Sequence, residues 1–317
     1  MNHAEVVVAA IRLESDGVQS FELRSVDRSA LPVFTAGSHI EVQMSPHLAR
    51  SYSLANDPDE THRYVIAVHK DPAGRGGSLF MQEKVRVGQR LRISEPRNNF
   101  ELNEAAPHSV LIAGGIGITP LRAMIARLQR LRRPWTLYYC GRQRGAMAYL
   151  DEFDEMRRAG CDVRLHVDRE HDGAVLDLAA VVRSAPAGAH MYCCGPKPML
   201  AAFESATSGL PSEQVHVEYF SAKEAVAAEG GFRVELARSG RVLLVEPGKT
   251  ILDAVLDAGL DVDYSCKEGI CGSCEVRLLA GVPDHRDAIL SKEERDANDR
   301  LIICCSGAKS ASLTLDL

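Results

Sequence analysis

The chain has 317 residues, 45% hydrophobic and 25% charged, which is the balance of a soluble globular protein too long for one ordinary core. Its 43 acidic residues outnumber 37 basic ones, and the net charge of −6 argues against a nucleic-acid-binding face. The longest early apolar run, Val6 to Ile11, is too short for a membrane span or a signal-peptide core, so a cytoplasmic location is expected.

Residues 1–105 contain many short β-like runs, among them "HIEVQM", "YVIAVHK" and "QRLRISEP", separated by Pro, Gly and Asp. This spacing predicts a small antiparallel barrel. Within it, "ARSYSLAND" places Arg50, Tyr52 and Ser53 on a strand followed by a turn. The stretch "GRGGS", Gly74 to Ser78, offers consecutive backbone amides and a hydroxyl just before a helical segment, a nest that suits a phosphate. Taken alone, such a glycine-rich loop is more often a plain turn.

Residues 106–222 change pattern. "SVLIAGGIGITPLRAMIARLQRLRR" begins with an apolar strand, Val110 to Ala113, then a glycine loop, then a helix with Pro120 near its first turn. Leu121, Met124, Ile125, Leu128 and Leu131 recur at helical spacing, so one face of that helix packs on a sheet. Strand, glycine loop and helix together put a pyrophosphate at a helix N-terminus. The match to the dinucleotide fingerprint is incomplete, because Pro120 stands where the third glycine belongs and no acidic residue follows at the usual distance. The strand-like "WTLYYCGR", "VRLHV", "HMYCCGP" and "VHVEYF" recur with helical segments between them, which predicts an α/β unit with a parallel sheet. Arg142 and Arg144, in "CGRQRG", follow a strand end, where they either clamp a 2′-phosphate or remain solvated surface charges.

A small, polar, glycine-terminated stretch, "SAKEAVAAEGG", reads as a linker over 223–229. Beyond it, 230–317 reads as a separate small domain. "FRVELARSGRVLLVE" alternates on both sides of Arg238-Ser239-Gly240 and predicts a hairpin; "TILDAVLDAG" is helical and stops at Gly259; "SLTLDL" is a last strand. The tetrapeptide "PGKT" at 247–250 imitates the end of a phosphate loop but lacks the required glycine, its place taken by Leu243.

Nine cysteines in a reducing compartment suggest metal or catalysis before disulfides. Cys140 and Cys161 lie in or beside apolar runs and read as inert buried thiols. "DYSCKEGICGSCEV" is different. Cys266, Cys271 and Cys274 have the Cys-x4-Cys-x2-Cys spacing of plant-type [2Fe–2S] sites, and a distant fourth thiol must come from Cys304 or Cys305. Gly269 and Gly272 let the backbone wrap closely, and with Ser273 they leave room for N–H groups to point at sulfur. Structural zinc wants a second Cys-x2-Cys or histidines, and this chain has no second pair. Cys304 and Cys305 read as the end of a strand, whose neighbouring side chains face opposite ways, so one thiol points to the cluster and the other packs as a small apolar residue.

Arg50-x-Tyr52-Ser53 followed by Gly76-Gly77-x-type nest chemistry at Ser78 resembles the flavin site of the ferredoxin-NADP reductase superfamily, and "CGPKPM" resembles its Cys-Gly-Pro motif. The order of parts, with the ferredoxin last, resembles the phthalate dioxygenase reductases and vanillate O-demethylase reductases over nearly the whole chain. The resemblance implies a multidomain fold: an antiparallel β-barrel for flavin, an α/β parallel-sheet nucleotide domain, and an α+β ferredoxin of the β-grasp type. It implies FMN, NADH and a [2Fe–2S] cluster, a terminal Rieske-type oxygenase as partner, and a monomer. By the same resemblance Arg50 neutralises the flavin phosphate with Gly76, Gly77 and Ser78, Tyr52 packs on the ring, and Ser53 approaches its N5 atom. Ser51, Leu54, Ala67, Val68 and His69 flank that ring, His69 standing where relatives commonly have Lys. Gly114, Gly115, Gly117, Thr119, Pro120 and Arg142 line the nucleotide; Cys194, Gly195 and Pro196 hold the nicotinamide; Phe220 lies near the flavin face. Ser53, Cys194 and Phe220 are the expected catalytic residues, and Cys266, Cys271, Cys274 and Cys304 the cluster ligands, relatives showing Cys-x-Ser at the last. The alternatives are a reductase for a cytochrome P450 or other monooxygenase and, in another class, a redox-sensing regulator.

Overall fold

The computed structural model describes residues 3–45, 48–220 and 226–317. By internal contacts it divides into two compact units, Met1–Glu218 and Tyr219–Leu317.

The first unit begins with the strands β1 (His3–Ser15), β2 (Val18–Ser25), β3 (Ser38–Ser45), β4 (Leu48–Ser53) and β5 (Tyr64–His69). The helix α1 (Gly77–Lys84) and strands β6 (Arg90–Ser94) and β7 (Arg97–Asn98) follow. The strands pair antiparallel in the order β4-β3-β6-β1-β2-β5, with β7 beside β3. A bridge between Leu54 and Ile66 joins the two outer strands, so the sheet closes into the expected barrel. Alternation fills it: Val6, Val8, Phe21, Leu23, Ile40, Val42 and Ile93 all point inward and are buried.

The second part of this unit contains β8 (Ser109–Gly114), α2 (Ile118–Arg130), β9 (Trp135–Gly141), α3 (Leu150–Arg158), β10 (Val163–Val167), α4 (Leu178–Arg183), β11 (His190–Cys194), α5 (Lys197–Thr207) and β12 (Val215–Glu218). All five strands are parallel, in the order β10-β9-β8-β11-β12. The chain builds outward from β8 to one side, then returns to add β11 and β12 on the other. That reversal opens a crevice at the carboxyl ends of β8 and β11, the usual ligand position in such sheets. Leu121, Met124, Ile125 and Leu128 of α2 are buried against the sheet, each side chain contributing about 1.5–3 kcal/mol.

The second unit holds β13 (Phe232–Leu236), β14 (Arg241–Val245), α6 (Ile251–Asp257), β15 (Glu275–Ala280), β16 (Pro283–Asp284), α7 (Lys292–Ala297), β17 (Arg300–Ile302), β18 (Gly307–Ala308) and β19 (Ser312–Leu315). Its main sheet runs β14-β13-β19-β15-β17, mixing a hairpin with the parallel pair β13–β19, and α6 packs across it. Thr250 starts α6 with a reciprocal cap: its hydroxyl accepts from Asp253 N at 3.0 Å and the Asp253 carboxylate accepts from Thr250 N at 3.2 Å. Lys249 and Thr250 of the "PGKT" decoy are thus a helix entry. Of the predicted linker 223–229, residues 223–225 lie outside the described residues. The remainder packs on this unit, with Ala227 buried against Gly307 and its N–H donating to Cys305 O at 2.8 Å.

Candidate functional site

Two sites emerge, one in each unit. In the first, the end of β4 and the α1 loop lie together. Arg50 donates to Ala49 O at 2.7 Å and Arg75 O at 3.1 Å, fixing its guanidinium beside the glycine nest. Gly76 caps α1 with φ +85°, and a Cβ on Gly77 would stand 2.6 Å from Arg50 Cγ. Only glycine lets arginine and nest share this space. The Ser78 hydroxyl accepts from Asp71 N at 3.0 Å, so it also braces the loop. Ser51 and Ser53 have buried hydroxyls without a hydrogen-bond partner among the described residues. An orphaned buried hydroxyl costs about 1–3 kcal/mol, and a polar flavin ring edge and phosphate chain would relieve both. Burial pushes the Tyr52 phenol far above its ordinary value. Leu54, Ala67 and Val68 are buried in the barrel wall; His69, at the end of β5, is exposed.

The carboxyl ends of β8 and β11 form the other wall. Gly114 and Gly117 are required there by packing. A Cβ on Gly114 would sit 2.6 Å from Pro196 Cδ, and one on Gly117 would sit 2.2 Å from Cys194 O. Gly115, with φ +55° and open space around its Cα, is the glycine that faces outward from the loop. Thr119 donates to Ile116 O at 3.0 Å and Pro120 occupies the first turn of α2, so the helix start points into the crevice. Gly195 and Pro196 follow β11 directly. Arg142 is exposed, with no ion pair among the described residues, whereas Arg144 is held by Glu170 at 2.7 Å.

Where these walls meet, the Cys194 thiol faces Glu218 Oε2 at 3.7 Å. Glu218, at the end of β12, is the residue that sequence reasoning missed. Part of the residue reaches solvent, but its carboxyl is enclosed, and burial pushes its pKa up to about 8 despite Cys194 and the neighbouring Ser53 hydroxyl. That Ser53 contact falls short of full hydrogen-bond geometry. Burial, with the Glu218 charge beside it, pushes the Cys194 thiol well above its ordinary value, so it is a neutral thiol rather than a nucleophile. Phe220 belongs to the second unit and is 38% exposed.

In the second unit, Cys266, Cys271, Cys274 and Cys304 are all buried. Gly269 and Gly272 adopt φ +70° and +73°, as their loop demands, and Lys267 joins them at φ +55°. The Cys266 sulfur accepts from Glu268 N at 3.3 Å and lies within reach of the Cys271 and Cys304 thiols. Among the described residues no three such side chains close on a single-ion geometry, whereas a two-iron cluster asks for thiolates spread across two metals. The strand expected to carry Cys304 and Cys305 ends earlier, at Ile302. Both cysteines lie in the turn that follows, closed by Ser306 N donating to Ile302 O at 3.1 Å. The turn sends the Cys304 thiol toward Cys266, while the Cys305 thiol meets that of Cys304 and also faces Gly269, Ser306 and Ile302 O.

A flavin-type barrel, a parallel nucleotide sheet and a three-cysteine loop with a fourth buried cysteine beside it define a pyridine-nucleotide-dependent iron–sulfur flavoprotein. Residues 111–205 match the "Oxidoreductase NAD-binding domain" and 234–309 the "2Fe-2S iron-sulfur cluster binding domain". The phenoxybenzoate dioxygenase subunit beta of Ectopseudomonas oleovorans is 53% identical, over 98% of this chain and 96% of its own. The solved phthalate dioxygenase reductase is 37% identical, with a TM-score of 0.75, over 100% of this chain and 98% of its own. A type IV self-sufficient cytochrome P450 monooxygenase gives a TM-score of 0.88 at 37% identity, and the chain spans 41% of that longer protein. The chain belongs to the phthalate dioxygenase reductase and vanillate O-demethylase reductase family of oxygenase reductases. Its cofactors are FMN, NADH and a [2Fe–2S] cluster. No helix among the described residues is long and apolar enough to cross a membrane.

Proposed function

We propose that this protein is the NADH-dependent reductase component of a Rieske-type aromatic oxygenase, working as a cytoplasmic monomer. The observation that carries this reading is the meeting of Ser53, Cys194 and Glu218 at one crevice in a chain that also gathers four buried cysteines, three of them in one loop. When bound, the flavin accepts a hydride from nicotinamide and the cluster carries electrons onward singly. The protein's part is placement. Arg50, Gly76, Gly77 and Ser78 bind the flavin phosphate, Tyr52 covers the ring, and the Ser53 hydroxyl donates to its edge. Ser51, Leu54, Ala67 and Val68 complete that wall.

Gly115, Thr119, Pro120 and the start of α2 receive the dinucleotide pyrophosphate, with Gly114 and Gly117 setting the loop height. Cys194, Gly195 and Pro196 orient the nicotinamide. The enclosed Glu218 carboxyl, protonated at neutral pH, keeps the Cys194 thiol in place without adding a negative charge to a site that receives hydride. Cys266, Cys271, Cys274 and Cys304 hold the cluster. Phe220 stands near the flavin face and His69 flanks the ring, and exposed Arg142 does not impose a preference for NADPH.

The likeness to a self-sufficient P450 favours one second reading, a P450 acceptor. Purified protein supplied with NADH and either a Rieske oxygenase or a P450 distinguishes them: product formation with the Rieske oxygenase is expected, and turnover with the P450 alone overturns the assignment. Failure to reduce cytochrome c with NADH would overturn the enzyme reading itself and favour a redox sensor.

A further inference from the structure

Behind the cluster loop lies a buried carboxylate that electron transfer does not explain. Asp287 has no exposed side-chain surface. Its Oδ2 accepts from Leu290 N at 2.8 Å and Ile289 N at 3.1 Å, and Arg295 Nη2 stands 3.5 Å away. Arg295 also donates to the Asp287 carbonyl, and His285 Nδ1 faces Oδ1 at 3.6 Å. Burial alone would raise the pKa, but His285, the two backbone N–H groups and Arg295 hold the carboxyl below its ordinary range.

The bend so formed touches the cluster loop twice. Ala288 N donates to Gly269 O at 2.9 Å, and Ile289 Cγ2 lies 3.9 Å from the position of a Cβ on Gly272. Gly269 is closely hemmed: a Cβ there would come 3.1 Å from Asp287 Cα and 2.4 Å from Cys305 Sγ. The two left-handed glycines of the loop therefore rest against one bend, and that bend is closed by a single carboxylate.

We propose that Asp287 is the positioning residue for the iron–sulfur loop, acting through the Ala288–Gly269 hydrogen bond to hold Cys266 and Cys271 at cluster spacing. This rests on the reading of the four thiols as a [2Fe–2S] site. Asp287 touches no expected ligand; it fixes the backbone between two of them. Cys305 closes the same wall around Gly269 from the other side.

The test uses the full-length protein reconstituted with iron and sulfide, comparing wild type, Asp287→Ala and Asp287→Asn. Visible circular dichroism reports the cluster environment, and loss of visible absorbance under excess chelator reports retention. Asp287→Ala should lose the cluster roughly 10- to 100-fold faster, the scale seen when partners behind a metal ligand are removed, with an altered dichroism spectrum. Asp287→Asn keeps an acceptor for the Ile289 and Leu290 N–H groups and should restore most of the retention. Wild-type retention and spectrum in the alanine variant overturn the proposal. So does an asparagine variant that loses the cluster at the alanine rate or, where the alanine variant does not fold, more than tenfold faster than wild type. A wild-type protein that takes up no [2Fe–2S] cluster refutes the underlying reading instead.

Discussion

The two sites are assembled in opposite ways. In the ferredoxin unit three of four expected ligands fall within nine residues, and one loop with two left-handed glycines brings them together. In the flavin and nucleotide unit, Ser53, Cys194 and Glu218 come from β4, β11 and β12, far apart in the chain. They converge because the barrel closes beside the sheet's reversal point. A local site is robust to changes elsewhere and fragile at its own loop, whereas a convergent site is exposed to any change that shifts one strand end.

The strongest way to break that comparison lies in the local site, where the largest effect is expected. Cys304→Ser should abolish the cluster's visible absorbance and NADH-dependent cytochrome c reduction, while NADH-to-ferricyanide activity survives. Cys305→Ser should retain all three, because its thiol turns toward Gly269 and Ser306. The reverse pattern would move the fourth ligand to Cys305 and leave the loop otherwise intact.

An intermediate effect is expected where the two walls of the convergent site touch. In Gly117→Ala the new methyl would meet the Cys194 carbonyl, 2.2 Å from the ideal Cβ. The backbone φ of −62° suits alanine, so the cost is purely of contact. Overpacking of this kind destabilises by about 1–3 kcal/mol, and displacement of Cys194 should slow flavin reduction roughly 100-fold. Stopped-flow reduction by NADH measures it, with the cluster spectrum as the unchanged control. A wild-type rate would show that the loop yields without disturbing the nicotinamide position.

The smallest effect sharpens the role of Glu218. Its pKa is raised to about 8 in the fold, against roughly 4.3 in an unfolded chain. Between these values the unfolded chain has released the proton that the folded protein keeps, so stability falls as pH rises and levels off above about 8. Thermal unfolding should therefore show the melting temperature of wild type falling relative to that of Glu218→Gln as pH rises from 5.5 to 8. Parallel curves for the two proteins would place the carboxyl in contact with water.

Periodicity and spacing were enough to predict the antiparallel barrel strands, the strand–loop–helix at Val110, the hairpin around Gly240 and the cluster loop, because each depends on neighbours in sequence. The order of the cysteines also announced a cluster, since thiolates in one wrapping loop must be spaced to reach two irons. Other features depended on tertiary structure. Glu218 reads in sequence as an ordinary polar residue on a terminal strand; only strand order places its carboxyl against Cys194 and Ser53, where burial changes its charge. Gly114 and Gly117 read as phosphate-binding glycines, yet the close approach of the β8 and β11 loops is what forbids a side chain there. Where β17 stops is a one-residue matter, and it puts Cys304 and Cys305 in the Ile302–Ser306 turn instead of on the strand that alternation predicts. Asp287 carries no motif of its own, and its contacts exist only because the bend it closes folds back on Gly269. Local chemistry is written in consecutive residues, but burial, charge state and steric exclusion are properties of whatever the fold brings alongside.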